Sequence, residues 1–182
     1  MANLTRRTRG YAALPIAAAL VLAVANTAYA APVSISADQY TNSDSQHATQ
    51  VEPDTFAWGN TIVAAAQTGR FTNGGASNIN VSTSTDGGAT WHSVGLPGLT
   101  NNAPVGGGSF DRVSDPVVAY DARDNVWMVS TLPLTGRGSV SPTAAGVYTS
   151  RSTDGGTTWG SPILVTGSNS GSPDKNWIVC DN

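Results

Sequence analysis

The amino-acid sequence predicts an all-β fold, and three observations carry that expectation. A turn signature of eight residues occurs twice. Runs rich in Val, Ile, Thr, Ala and aromatics precede each copy, as strands require. Gly and Pro punctuate the chain about every ten residues, a spacing that suits short strands and turns and leaves little room for helices.

The turn signature reads Ser84-Thr85-Asp86-Gly87-Gly88-Ala89-Thr90-Trp91 in one copy and Ser152-Thr153-Asp154-Gly155-Gly156-Thr157-Thr158-Trp159 in the other, 68 residues on. Residues 78–83 and 146–151 are the strands that lead into the two turns. Upstream of them lie residues 61–67 and 125–132, and further upstream residues 52–59 and 114–121. Each unit therefore reads strand, strand, strand, turn, strand, a length that suits one four-stranded blade. Residues 174–181 read as a third copy of the first strand.

Every part of the turn has a structural task. Glycine accepts the positive φ of a tight hairpin turn. The Asp carboxylate accepts N–H bonds from its own turn, and the Thr hydroxyl closes the same loop. The Trp covers the hairpin and packs between neighbouring units. Ser84, Asp86, Gly88, Thr90 and Trp91, with Ser152, Asp154, Gly156, Thr158 and Trp159, are therefore read as structural. The acidic residues are too few for a calcium loop, and no cofactor or metal site is expected.

Flanking composition sets the compartment. Arg6, Arg7 and Arg9 precede an apolar stretch at 11–25, and Ala28-Tyr29-Ala30 fits a small-x-small cleavage site, so residues 1–30 read as a signal peptide. Pro15 and the short apolar length argue against a membrane span. The general secretory route is preferred, with a twin-arginine route through Arg6-Arg7 left open. Taking those three arginines from the nine basic residues leaves six against twelve acidic ones, a formal charge of −6. That balance disfavours nucleic acid and anionic membranes as partners. Residues 31–50 are polar and aperiodic and read as a linker or loose arm, which leaves 51–182 as the repeat domain. Cys180 is the single cysteine. Two readings stand for it: a buried free thiol, or half of a disulfide whose partner lies beyond this chain.

The paired turns match the Ser-x-Asp-x-Gly-x-Thr-Trp pattern of Asp-box repeats, also called bacterial neuraminidase repeats. Residues 51–182 resemble the N-terminal part of a secreted sialidase-like six-bladed β-propeller, with about two blades and the start of a third. The resemblance implies three arginines that hold a substrate carboxylate, a tyrosine nucleophile supported by a glutamate, and an aspartate acid/base. The Phe/Tyr-Arg-Ile-Pro motif that carries the first of those arginines is absent here.

In an up-and-down blade the Asp-box turns lie on one face, and the strand 2–3 loops and blade crossings lie on the other. The resemblance places substrate on the second face. That face is expected to carry Glu52, Asp54, Arg112, Asp115, Asp174 and Lys175, with Arg70 and Arg137 in the 2–3 loops. Arg70, Arg112 and Asp115 are the candidate substrate-binding residues; no catalytic residue is assigned. Each has a plainer alternative, such as an Arg112–Asp115 pair that orients a crossing loop. His47 and His92 stand alone and read as ordinary polar residues. Three functions remain open: a secreted exo-sialidase-type glycoside hydrolase within a longer protein, a non-catalytic propeller that binds extracellular glycan or a cell-surface protein, and a structural module without a ligand.

Overall fold

The computed structural model describes residues 31–167 and 173–182. The signal reading of residues 1–30 falls outside them. From Val33 on the described residues form one unit. Among them there is no helix, and the architecture is all-β and antiparallel.

Two four-stranded meanders follow one another. The first is β1 (Gln46–Trp58), β2 (Thr61–Arg70), β3 (Ala76–Ser84) and β4 (His92–Gly95). The second is β5 (Arg112–Asp121), β6 (Val126–Thr135), β8 (Gly146–Ser152) and β9 (Ile163–Gly167), with the two-residue β7 (Thr143–Ala144) paired to β6 just ahead of β8. Each strand pairs with the next within its meander. A single pair, Ala76 with Val113, links the two ladders. The turn signature sits between the third and fourth main strands of both meanders, as the repeat predicts.

The first strands share a further feature. β1 is bulged between Val51 and Asp54, and β5 between Ser114 and Val117. Each bulge holds an acidic residue followed by proline, Glu52-Pro53 and Asp115-Pro116. Proline cannot donate to a ladder and is confined to such irregular positions. Glu52 and Asp115 take φ values of +51° and +48°, the left-handed region that L-residues enter at a cost.

The core lies between the meanders. Strand alternation sends Val63, Ala65, Ile79 and Val81 inward from the first, where they meet Val113, Val118, Trp127 and Val129 of the second. Leu96 and Leu99, from the connection between β4 and β5, are fully buried in the same cluster. Phe56 meets Trp127 edge-on at 6.2 Å between centroids, and Tyr120 packs against Trp127 at 4.7 Å. Asp54 joins the first strands of the two meanders, its Oδ2 accepting the Val118 N–H at 2.7 Å.

Two sequence expectations are revised. The polar stretch at 31–50 is not a loose arm. β1 begins at Gln46, and Tyr40 is buried and donates its hydroxyl to Asn80 Oδ1 at 2.8 Å. Burial pushes that phenol up to about 12. Asp38 accepts the backbone N–H of Ala48 and of Tyr40, which fixes the arm by side-chain capping that composition does not reveal. Residues 174–181 form no strand. Their segment is held against β6 and β5 by side chains instead: Asn176 Nδ2 donates to Ser130 Oγ at 2.8 Å, and Asn182 Nδ2 to the Tyr120 carbonyl at 2.7 Å. Cys180 is a half-buried free thiol, which burial raises above its ordinary value.

Candidate functional site

The two turns of the repeated signature occupy the far ends of β3 and β8, and they share the same set of Ser, Asp, Thr and Trp bonds. Ser84 Oγ donates to Asp86 Oδ1 at 2.8 Å, and Ser152 Oγ to Asp154 Oδ1 at 2.7 Å. The hydroxyls of Thr90 and Thr158 donate to the other carboxylate oxygen, each at 2.6 Å. The indole N–H of Trp91 and of Trp159 donates to the carbonyl of Gly88 and of Gly156. These bonds, led by the Thr hydroxyls, hold both Asp carboxyls down at about 2. The copies differ in packing. Trp159 enters the core, and the Gly156 carbonyl accepts the Thr83 hydroxyl of the first meander at 2.7 Å.

The opposite end of the strands carries the charged residues. Here the loop at 71–75 joins β2 to β3, and the loop at 136–142 lies between β6 and β7. Arg112 opens β5 between them and is fully buried. Its five N–H groups all donate to protein acceptors. Nε reaches the Gly136 carbonyl, Nη1 reaches Asn73 Oδ1 and the Gly74 carbonyl, and Nη2 reaches the carbonyls of Gly138 and Val140. The guanidinium also lies over the Phe71 ring, 4.5 Å from its centroid. Burial lowers its pKa, yet an arginine remains charged. Arg112 therefore staples the two loops together and has no N–H left for a ligand. This corrects the expectation that it holds substrate, and it is not paired with Asp115 either.

Beside the staple lies a cavity of about 340 Å³. Its polar lining is Glu52, Arg70, Asn73, Ser114, Asp115 and Asp174, and Leu132, Leu134 and Ala144 supply an apolar wall. The two bulges deliver Glu52 and Asp115 to the lining of the same cavity. Partial burial raises the Glu52 pKa, and the Asp115 carboxyl raises it further, against the pull of Arg70 and Lys175. Arg70 is half-buried and spends Nη1 on the Gly75 carbonyl at 3.0 Å. The cavity thus gathers Arg70, Asp115, Glu52 and Asp174 of the expected residues, with Lys175 close by. Asp54 is engaged between strands, and Arg137 pairs with Asp111 at 2.8 Å outside this lining. His47 stands 3.2 Å from Asp38 in the arm, and His92 is exposed.

Sequence reasoning missed Gln67, the residue beneath these acids. It is fully buried, and its Nε2 donates to Glu52 Oε2 and to Ser114 Oγ, the latter at 3.3 Å. Ser114 in turn donates to Asp115 Oδ1 at 3.2 Å. Gln67 Oε1 has no hydrogen-bond partner among the described residues. The available signal was a lone amide in the apolar run of β2, where a buried polar group calls for partners. Among the described residues no three His, Cys, Asp or Glu side chains stand close enough to hold a metal ion.

No family model matches the chain, and no curated protein does. Among solved structures it is similar to one described as Hadza microbial sialidase Hz136, at 22% identity over 58% of this chain with a TM-score of 0.44. The match spans about a quarter of that structure's own chain, 24%.

Proposed function

We propose that this chain belongs to a secreted, sialidase-like Asp-box β-propeller protein and binds extracellular glycan in the cavity of Glu52, Arg70 and Asp115, without hydrolysing it. The twin Asp-boxes and the stacked four-stranded meanders support the propeller reading, and the sequence of residues 1–30 supports export. One observation favours binding over hydrolysis: all five N–H groups of Arg112 are committed to protein acceptors, and a bidentate grip on a sugar carboxylate needs free guanidinium edges. Carboxylates, a guanidinium and an amide over an apolar wall suit sugar hydroxyls above a ring face. The test is a glycan array probed with the full secreted chain beside a hydrolysis assay on a glycoside reporter panel. Binding without turnover, reduced in Arg70→Ala, is the expected result. Turnover of any reporter would overturn the non-catalytic reading.

A second reading is an exo-sialidase-type hydrolase in which this chain is part of a longer protein. The raised Glu52 pKa favours it, since acid catalysis uses a carboxyl that holds its proton more tightly than usual. The same reporter panel, run on a longer protein that contains this sequence, decides it. A cell-surface protein as ligand would appear as array-negative binding to intact cells.

A further inference from the structure

We infer that Asn73 is a site of self-modification: the Gly74 backbone nitrogen expels its side-chain amide as ammonia, and the acid left behind loosens the loop at 136–142. The inference stands apart from the glycan reading, and its only co-reactant is water.

Asn73 is the one asparagine of the sequence that precedes a glycine. It lies in the β2–β3 loop and is exposed to solvent. Gly74 has no side chain to shield its nitrogen, and a Cβ there would meet nothing nearer than Pro142 Cγ at 3.4 Å. The Gly74 N–H is held by a long bond to the Phe71 carbonyl, 3.3 Å. Arg112 prepares the electrophile. Its Nη1 donates to Asn73 Oδ1, which draws electrons from Cγ and stabilises the charge that the oxygen gains when Cγ is attacked.

Two Asp-Gly pairs, Asp86-Gly87 and Asp154-Gly155, have the same open backbone but no such electrophile. Ser and Thr hydroxyls bond both oxygens of each carboxylate and hold it ionised, and an ionised carboxylate repels a nucleophile and lacks a leaving group. Asn78 and Asn80 are buried in β3 and precede the branched Ile79 and Val81.

The step balances without oxidation or reduction. The bond from Gly74 N to Asn73 Cγ forms, the Cγ–Nδ2 bond breaks, and the Gly74 proton leaves with Nδ2 as ammonia. The cyclic imide then takes up water. Opening at the Cγ–N bond gives aspartate, and opening at the backbone C–N bond gives isoaspartate. Either product puts a carboxylate where Nδ2 was. That nitrogen donates to the carbonyls of Gly138 at 3.4 Å and Val140 at 3.2 Å. A carboxylate repels these oxygens and competes for the Arg112 guanidinium that they share. Isoaspartate also adds a carbon to the backbone of the loop.

The full secreted chain is aged at about pH 8 and at about pH 5, then mapped by peptide mass spectrometry with isoaspartyl methyltransferase labelling. Residue 73 should convert before any other described asparagine, with isoaspartate among its products. Conversion should be about tenfold faster or more at the higher pH, because the attacking nitrogen must lose its proton. Limited trypsin digestion reads the loop through Arg137, whose side chain is exposed. Cleavage after Arg137 should rise about threefold or more on ageing, since it tracks the open population of the loop. Asn73→Gln keeps an amide donor but closes the ring slowly, so its cleavage should not change with age. Fresh Asn73→Asp should be cleaved more readily than the fresh unaltered chain. An intact residue 73 while another asparagine converts, or conversion without isoaspartate, overturns the self-modification. Conversion at residue 73 with unchanged cleavage after Arg137 overturns the loosening of the loop.

Discussion

Arg112 donates through Nη1 to the side chain of Asn73, and the same guanidinium reaches the carbonyls of Gly136, Gly138 and Val140. One buried cation thereby fixes two loops that wall the cavity. Arg112→Met keeps the volume but leaves these acceptors without donors. Each buried acceptor so stranded costs about 1–3 kcal/mol, and solvent reaching the exposed loop tips refunds part, so a loss on the order of 3 kcal/mol is expected. Arg112→Lys should fall between, because an ammonium cannot span acceptors on both loops. Urea midpoints of the full chain measure this. Midpoints within error of wild type would show that the staple is dispensable.

Gly88 and Gly156 hold the same place in the two repeated turns and have φ values of +94° and +84°. A Cβ at Gly88 would find Ile62 at 3.6 Å, an ordinary contact. A Cβ at Gly156 would meet Val63 Cγ2 at 2.9 Å and Thr83 Oγ1 at 3.0 Å, both in the packed junction between meanders. Gly88→Ala should cost only the backbone strain of about 1–2 kcal/mol. Gly156→Ala should cost that and a further ~1–3 kcal/mol of overpacking. Thermal melts compare the two, and equal losses would mean that the second turn does not bear on the first meander.

The same contrast explains how much was legible in the sequence. The two repeated turns were readable because their hydrogen bonds stay within eight residues, from Ser84 to Trp91 in the first, so spacing encodes the structure. The strand order was readable for a related reason: each strand pairs with its sequence neighbour. The role of Arg112 was not. Its partners lie 24 to 39 residues away on two loops, and a free arginine and a fully committed one look alike in sequence. Gln67 was hidden in the same way, since its link to Ser114 spans 47 residues. The face that carries the cavity followed from topology, but which of its charges remain free depends on contacts that only the folded chain defines.

The carboxylates of the two repeated turns set the acid limit of stability. Folding lowers Asp86 and Asp154 from an ordinary 3.8 to about 2. A lowered carboxyl stabilises the fold fully above its unfolded value and loses that contribution as pH falls through the folded one. The melting temperature should therefore drop between about pH 4 and pH 2. Asp86→Asn and Asp154→Asn should each flatten that drop and be less stable than wild type at neutral pH. The loss should be larger for Asp154, whose turn is anchored to Thr83. A wild-type slope preserved in both variants would show that other acids control it.

Glu52 acts in the opposite direction and in a separate pH window. Its folded pKa is raised above the ordinary 4.5, first by partial burial and then by Asp115. The folded state therefore holds the Glu52 proton more tightly than the unfolded chain does. That contribution is complete below the unfolded value and disappears as pH rises through the folded one. Wild-type stability should decline slightly above pH 4.5, where Asp86 and Asp154 are already ionised and contribute a constant amount. Glu52→Gln keeps the hydrogen-bonding shape and removes the titration, so its stability relative to wild type should increase with pH. Asp115→Asn should return Glu52 part of the way toward its ordinary value and reduce the same slope, with burial keeping the rest. Melting temperatures from about pH 4 to pH 8 for the three proteins read this out. Parallel curves would mean that Glu52 and Asp115 ionise independently, and that the cavity contains two ordinary carboxylates and not a pair.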